Sequence, residues 1–94
     1  MTKAERIFKE TYSECRTHIK IWGYKENSGF NRMAYKDNET FSKRTANAVQ
    51  KLIDNERKRL ELAKEIDALP IDRIAFMEQA LKMVQVTLNN TYII

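Results

Sequence analysis

Apolar side chains recur at spacings of three and four over the start of the chain, which predicts an amphipathic helix over residues 2–22. Thr2 followed by Glu5 fits a capping box, and Gly23 fits the left-handed position that often follows a helix. The apolar stripe contains Ala4, Ile7, Phe8, Thr11, Tyr12, Cys15, Ile19 and Trp22.

Residues 23–38 show no helical period, and we expect them to form a loop. Within it, Asn27, Ser28 and Gly29 suit a three-residue hairpin turn, so the alternative is a minor β-ribbon over residues 24–36. A connection this long is unusual in a compact domain and is often functional or disordered.

A second helix is predicted over residues 39–69, from the N-cap residue Asn38 to the residue before Pro70. Its apolar positions form a 3.5-residue seam and a flanking row, both interrupted by a polar belt at residues 55–59. The seam contains Phe41, Thr45, Ala48, Leu52, Leu62, Ile66 and Leu69, and the flanking row contains Val49, Ile53, Leu60 and Ala63.

The third predicted helix, over residues 71–88, is the most apolar, and residues 89–94 form an apolar tail. Its apolar face covers about half the circumference, more than the ~100° stripe of a surface helix. Either a second copy of the chain or the first helix and the tail must cover that face. The homodimer interface predicted for the first case is Met77, Leu81, Val84 and Leu88, with Phe76 and Met83 facing the chain's own hairpin. The two faces could exchange roles, because a helical wheel does not say which side faces inward.

These elements predict an all-α fold, a small helical bundle in one domain over residues 1–94. The second and third helices form a long antiparallel hairpin, and the first packs across it. Two glycines and one proline are too few for a sheet with many tight turns. They also exclude a glycine-rich loop that holds phosphate.

The formal net charge of +4 lies entirely in the first third of the chain. Residues 1–36 hold eight basic and four acidic side chains, whereas the remaining residues hold nine of each. Such asymmetry favours an anionic partner for the N-terminal part, or else a solvated face that keeps the protein soluble.

The residues that most often carry chemistry are scarce. Cys15 and His18 are the only cysteine and histidine, and two ligands do not complete a zinc site. Cys15 lies within the apolar stripe of the first helix, where a thiol packs in the core instead of acting as a nucleophile. We therefore expect no metal, no cofactor and no catalytic residue, and we expect the protein not to be an enzyme.

Five of the nine aromatic residues lie between Lys20 and Phe41, interleaved with basic residues. Aromatic faces stack on nucleic-acid bases while cations hold phosphates, but Trp, Tyr and Arg also dominate protein–protein hot spots. A third interpretation makes Trp22 and Phe41 anchors of the core. The candidate partner- or nucleic-acid-binding residues are Lys20, Trp22, Tyr24, Lys25, Phe30, Arg32, Tyr35 and Lys36.

The chain is short, mixed in charge, and rich in Lys, Asn, Ile, Tyr and Phe, residues with AT-rich codons. In this habit it resembles the small orphan proteins of phages and other mobile elements of AT-rich bacteria. The resemblance implies an accessory role, in which the protein binds a host or phage protein or a nucleic acid.

The function we expect is that of a non-enzymatic helical interaction protein that binds another macromolecule, foremost an unknown protein partner. The alternative is a nucleic-acid- or nucleotide-binding module that uses the basic N-terminal third. No apolar run is long enough to span a membrane, and the N-terminus lacks the apolar stretch of a secretory signal. Together with a single cysteine, these features predict a cytoplasmic protein that does not associate with membranes.

Overall fold

The computed structural model describes residues 1–25 and 42–91, and it contains three helices. Helix α1 spans Lys3–Trp22, α2 spans Lys43–Glu65 and α3 spans Ile71–Thr91. Helix accounts for 85 % of the described residues, and none of these residues is in a strand. The predicted all-α class is therefore confirmed, whereas the β-ribbon over residues 24–36 falls almost entirely outside the described ranges.

The ends of α1 are set by the two residues that the sequence indicates. The Thr2 hydroxyl accepts a hydrogen bond from the Glu5 backbone N–H at 3.1 Å. Gly23 has φ +80°, and its N–H donates to the Ile19 carbonyl at 2.9 Å. Both contacts satisfy backbone groups that a helix end leaves unpaired.

Helix α2 begins later than the sequence predicts. Its N-cap is Ser42, whose hydroxyl accepts from the Thr45 N–H at 3.3 Å, and the first helical residue is Lys43. The predicted cap, Asn38, lies outside the described residues. Serine and asparagine are about equally good caps, so the sequence alone does not choose between them.

Helix α2 also ends earlier, at Glu65, because the chain closes it before Pro70 is reached. Asp67 adopts a positive φ of 50°, and the Ala68 N–H donates to the Ala63 carbonyl at 3.0 Å. This is the bond of a Schellman closure, in which a left-handed residue turns the chain away from the helix. Aspartate occupies the position that glycine most often takes, so the usual sequence signal is missing.

Pro70 instead marks the start of α3, since its carbonyl accepts from the N–H groups of Arg73 and Ile74 at 3.0 and 3.1 Å. The helix continues to Thr91, three residues beyond the predicted end. Part of the predicted tail is therefore helical, and residues 92–94 lie outside the described ranges.

The flanking row of α2 lies in the core, whereas the seam lies at its edge, where Ala48 and Leu52 are partly buried against it. Val49, Ile53 and Leu60 are fully buried, whereas Leu62 and Ile66 of the seam are 54 % and 64 % exposed. A strict 3.5-residue repeat drifts by about 20° per heptad around a straight helix, so the seam rotates away from the core toward its C-terminal end.

Cross-helix contacts define how the three helices meet. Near the α2–α3 connection, Lys64 lies 3.5 Å from Glu78, and farther along the same pair of helices Gln50 contacts Gln85. That order is the one expected of antiparallel neighbours. The buried hydrophobic core draws on all three helices: Ala4, Ile7, Tyr12, Cys15, Ile19, Ala46, Val49, Ile53, Leu60, Ala63, Ile74, Met77, Ala80, Leu81, Met83, Val84 and Leu88.

Candidate interaction surface

The last turn of α1 exposes two large apolar side chains that are adjacent in sequence. Ile21 is 62 % exposed and Trp22 is 75 % exposed. Trp22 continues the apolar stripe three residues after the buried Ile19, but the stripe runs past the surface that the other helices cover. The interpretation of Trp22 as a core anchor is therefore wrong, while Phe41 lies outside the described residues.

Positive charge surrounds this end of α1. Lys20 and Lys25 are exposed, and residues 15–25 contain neither aspartate nor glutamate. Tyr24 is half-buried, and the Lys82 ammonium of α3 lies 5.7 Å from the centroid of its ring. We call Lys20, Ile21, Trp22, Tyr24 and Lys25 the α1-end patch.

The structure thus brings four of the eight predicted binding residues together at one end of a helix. The other four lie in the part of the chain that is not described: Phe30, Arg32, Tyr35 and Lys36. Sequence reasoning missed Ile21, although a signal was present. Ile21 lies about 100° away from Trp22 around the helix and off the apolar stripe, so the face of α1 that packs on the other helices does not include it.

A groove of about 420 Å³ lies between α2 and α3, next to the α1-end patch. The buried leucines Leu60 and Leu81 contribute apolar surface, and charged side chains form the remainder of its lining. Lys82 lines the groove and also contacts the Tyr24 ring, so the groove and the patch are neighbours. The remaining lining residues are Arg57, Glu61 and Glu78.

The four residues predicted to join two subunits are covered within the chain itself. Met77, Leu81, Val84 and Leu88 are between 0 % and 7 % exposed. Helix α1 provides part of this cover, because the Tyr12 hydroxyl donates to the Met77 carbonyl at 3.4 Å. The structure therefore does not support the predicted dimer interface, and it favours the alternative in which the chain covers its own apolar face.

The lone thiol is placed where it cannot react readily. Cys15 is fully buried, and burial, followed by the nearby charge of Glu14, raises the pKa of its thiol to about 12. Because the thiolate is the nucleophilic form, almost none of the reactive species exists near neutral pH. Among the described residues, no group of three or more His, Cys, Asp or Glu side chains is arranged to hold a metal ion.

The polar belt of α2 contacts α1 through Tyr12. Glu56 is nearly covered and pairs with Arg59, whose Nη2 lies 3.0 Å from the Glu56 Oε2. Burial, and then the negative charge of Glu56, raise the pKa of the Tyr12 hydroxyl well above its ordinary value. A paired carboxylate and a protonated phenol make a structural contact between two helices rather than an acid–base pair.

A second exposed apolar group flanks the α2–α3 connection. Leu62, Ile66 and Ile71 are 54 %, 64 % and 63 % exposed, and we call them the connection patch. Leu62 and Ile66 are four residues apart and therefore lie on the same side of the chain. Unlike the α1-end patch, this group is surrounded by acidic as well as basic residues: Lys58, Glu61, Lys64, Glu65, Asp67, Asp72 and Arg73.

Comparison with models of protein families, with curated proteins and with solved structures finds no match to this chain. None of the helices in the described ranges combines the length and the apolar character needed to cross a membrane.

Proposed function

We propose that this chain is a non-enzymatic interaction protein that binds another protein through the α1-end patch. The observation that carries the proposal is the 75 % exposure of Trp22, next to an Ile21 that is 62 % exposed. Tryptophan offers a large apolar area with few rotatable bonds and is among the residues most enriched in binding hot spots. A binding partner would remove both side chains from water.

The described residues support a binding role better than a catalytic one. The thiol of Cys15 is buried and protonated, and the Glu56 carboxylate is paired with Arg59. In contrast, the two most prominent apolar side chains of α1 that face solvent lie beside cations. Taken with the composition-level resemblance, these features fit an accessory protein of a phage or mobile element that acts in the cytoplasm.

The test is a pull-down from host lysate, with and without nuclease, analysed by mass spectrometry. The wild-type chain is compared with Trp22→Ala and with Ile71→Ala, a control that truncates another exposed apolar residue, 63 % exposed, in the connection patch. We expect a nuclease-resistant protein partner that is lost with Trp22→Ala and kept with Ile71→Ala. Equal recovery with both variants would contradict the proposal.

The alternative is a single-stranded nucleic acid bound at the same patch. It is favoured by the grouping of Lys20, Lys25 and Lys82 around aromatic rings. Trp22 is the only tryptophan, so its fluorescence reports directly on this surface. A thymidine oligonucleotide that quenches this fluorescence at low salt, with an affinity that falls steeply as salt rises, supports the alternative. No quenching at low salt removes it.

Homodimerisation stays a prediction, but its location changes. Because Leu81 and its neighbours are covered within the chain, a dimer of the folded protein would have to use other surface. Light scattering at high micromolar concentration tests this directly: a monomer mass contradicts self-association, and a dimer mass supports it.

A further inference from the structure

We infer that the α1-end patch is built for an acidic protein segment that carries a large apolar side chain. This inference rests on the proposed function and adds the chemistry of the partner. Two independent features of the patch lead to it, the sign of its charge and the kind of apolar side chains that it exposes.

Within the described residues, the exposed lysines Lys20 and Lys25 of the α1-end patch have no ion pair. Two exposed cations of α2, Arg57 and Lys64, each have a carboxylate three residues before them, Asp54 and Glu61, at 3.4 and 3.5 Å. No such pair within the described ranges involves Lys20 or Lys25, and residues 15–25 contain no acid that could supply one.

The α-helix dipole places about half a negative charge at the C-terminal end of α1. The two exposed lysines at that end, Lys20 and Lys25, outweigh it, so the local potential is positive. A positive surface steers acidic partners toward itself and rejects basic ones.

The apolar side chains favour a protein over a nucleic acid. Stacking along a single strand needs several available aromatic faces, whereas Trp22 is the only strongly exposed ring among the described residues. The ring of Tyr24 is half-buried, and the Lys82 ammonium lies over it. Ile21 is aliphatic and offers no stacking face at all. An aliphatic residue beside an indole is suited to another protein's apolar side chain.

The charge and the apolar side chains of the patch contribute to binding in different ways. An exposed lysine–carboxylate pair contributes little to stability, so the cations mainly select the partner and speed its association. Burial of Trp22 and Ile21 supplies most of the affinity, in proportion to the apolar area removed from water. The consensus expected of a binding segment is therefore one or two large apolar residues flanked by Asp or Glu.

The experiment is selection from a random peptide library displayed on phage, performed on the wild-type chain. Parallel selections use Trp22→Ala and the double variant Lys20→Glu/Lys25→Glu. A matched control, Lys43→Glu/Lys51→Glu, makes the same change in net charge at two exposed lysines of α2. Affinities of selected peptides without tryptophan are then read from the fluorescence of Trp22.

We expect peptides rich in acidic and large apolar residues, with no enrichment on the Trp22→Ala chain. Charge reversal at Lys20 and Lys25 should weaken these peptides about tenfold and shift the selected consensus toward basic residues, whereas the α2 control should change affinity less than threefold.

Three outcomes would overturn the inference. Peptides that need Trp22 but show no charge preference leave the proposed function standing and refute only the acidic partner. No enrichment over the Trp22→Ala chain refutes this patch as a peptide-binding surface, while failure of the proposed function itself is seen separately in the pull-down. A thymidine oligonucleotide that binds more tightly than every selected peptide, and displaces it, assigns the patch to nucleic acid.

Discussion

Thr11→Val is predicted to stabilise the protein, because Thr11 buries a hydroxyl that has nothing to bond. The side chain is 0 % exposed, and its Oγ1 has no hydrogen-bond partner among the described residues. A buried polar group without a partner costs about 1–3 kcal/mol. Valine has nearly the same shape and a similar helix propensity, so the exchange removes that cost without opening a cavity. We expect a gain of about 1 kcal/mol, which raises Tm by roughly 4–8 °C for a domain of this size.

Thr87→Val is the matched control, because Thr87 is also 0 % exposed but its hydroxyl donates to the Met83 carbonyl at 2.8 Å. Loss of a satisfied hydrogen bond should lower the free energy of unfolding by about 0.5–1.5 kcal/mol. Urea unfolding followed by circular dichroism measures both variants, and an unchanged m-value shows that the native and unfolded states remain comparable. If Thr11→Val destabilises the protein as much as Thr87→Val does, the Thr11 hydroxyl is paired and the reasoning is refuted.

Three further predictions concern the core, the thiol and the α2–α3 connection. Leu81→Lys should lower the free energy of unfolding by more than about 3 kcal/mol in urea titrations. Ile71→Lys, at an exposed site, should change the free energy of unfolding by less than about 0.5 kcal/mol. A folded Leu81→Lys monomer would contradict the assignment of Leu81 to the core. Because the raised pKa values of Cys15 and Tyr12 keep both groups protonated only in the folded state, stability should fall as pH rises from about 9 toward 12. Cys15→Ala should make that fall shallower in denaturation measured across this range, and an identical slope would argue against a buried thiol. Asp67→Gly should raise the free energy of unfolding by about 0.5 kcal/mol, and Tm slightly with it, because glycine adopts the positive φ at this position without strain. A lower free energy of unfolding would contradict the left-handed closure.

The sequence predicted the elements that depend on local chemistry. The ends of α1 follow from Thr2 and Gly23, each of which acts within four residues of its own position. The early end of α2 was not predictable in the same way, because Asp67 takes a conformation that the sequence signals clearly only when glycine is present. Propensity therefore identified the helices, while their exact ends depended on individual backbone geometries.

Which face of a helix becomes core depends on its neighbours, and a helical wheel does not contain them. The seam and the flanking row of α2 are shifted by one residue, and only the packing of α1 and α3 shows that Ile53 is inside and Leu62 outside. The sequence also predicted Leu81 as an interface residue, because a helical wheel does not show that α1 covers this face of α3. For the candidate surface, composition pointed to Trp22 and its neighbouring lysines, but exposure had to come from the structure.

The contact between Gln50 and Gln85 fixes how far α2 and α3 can slide past each other. Each amide donates to the other's carbonyl oxygen at 2.8 Å, so both donors and both acceptors must lie opposite each other at once. A slip of one turn along α2 would place Ala46 or Asp54 opposite Gln85; alanine offers neither group and a carboxylate only accepts. Neither amide titrates near neutral pH, so the bonds between the two amides fix the register without an ion pair across the two helices.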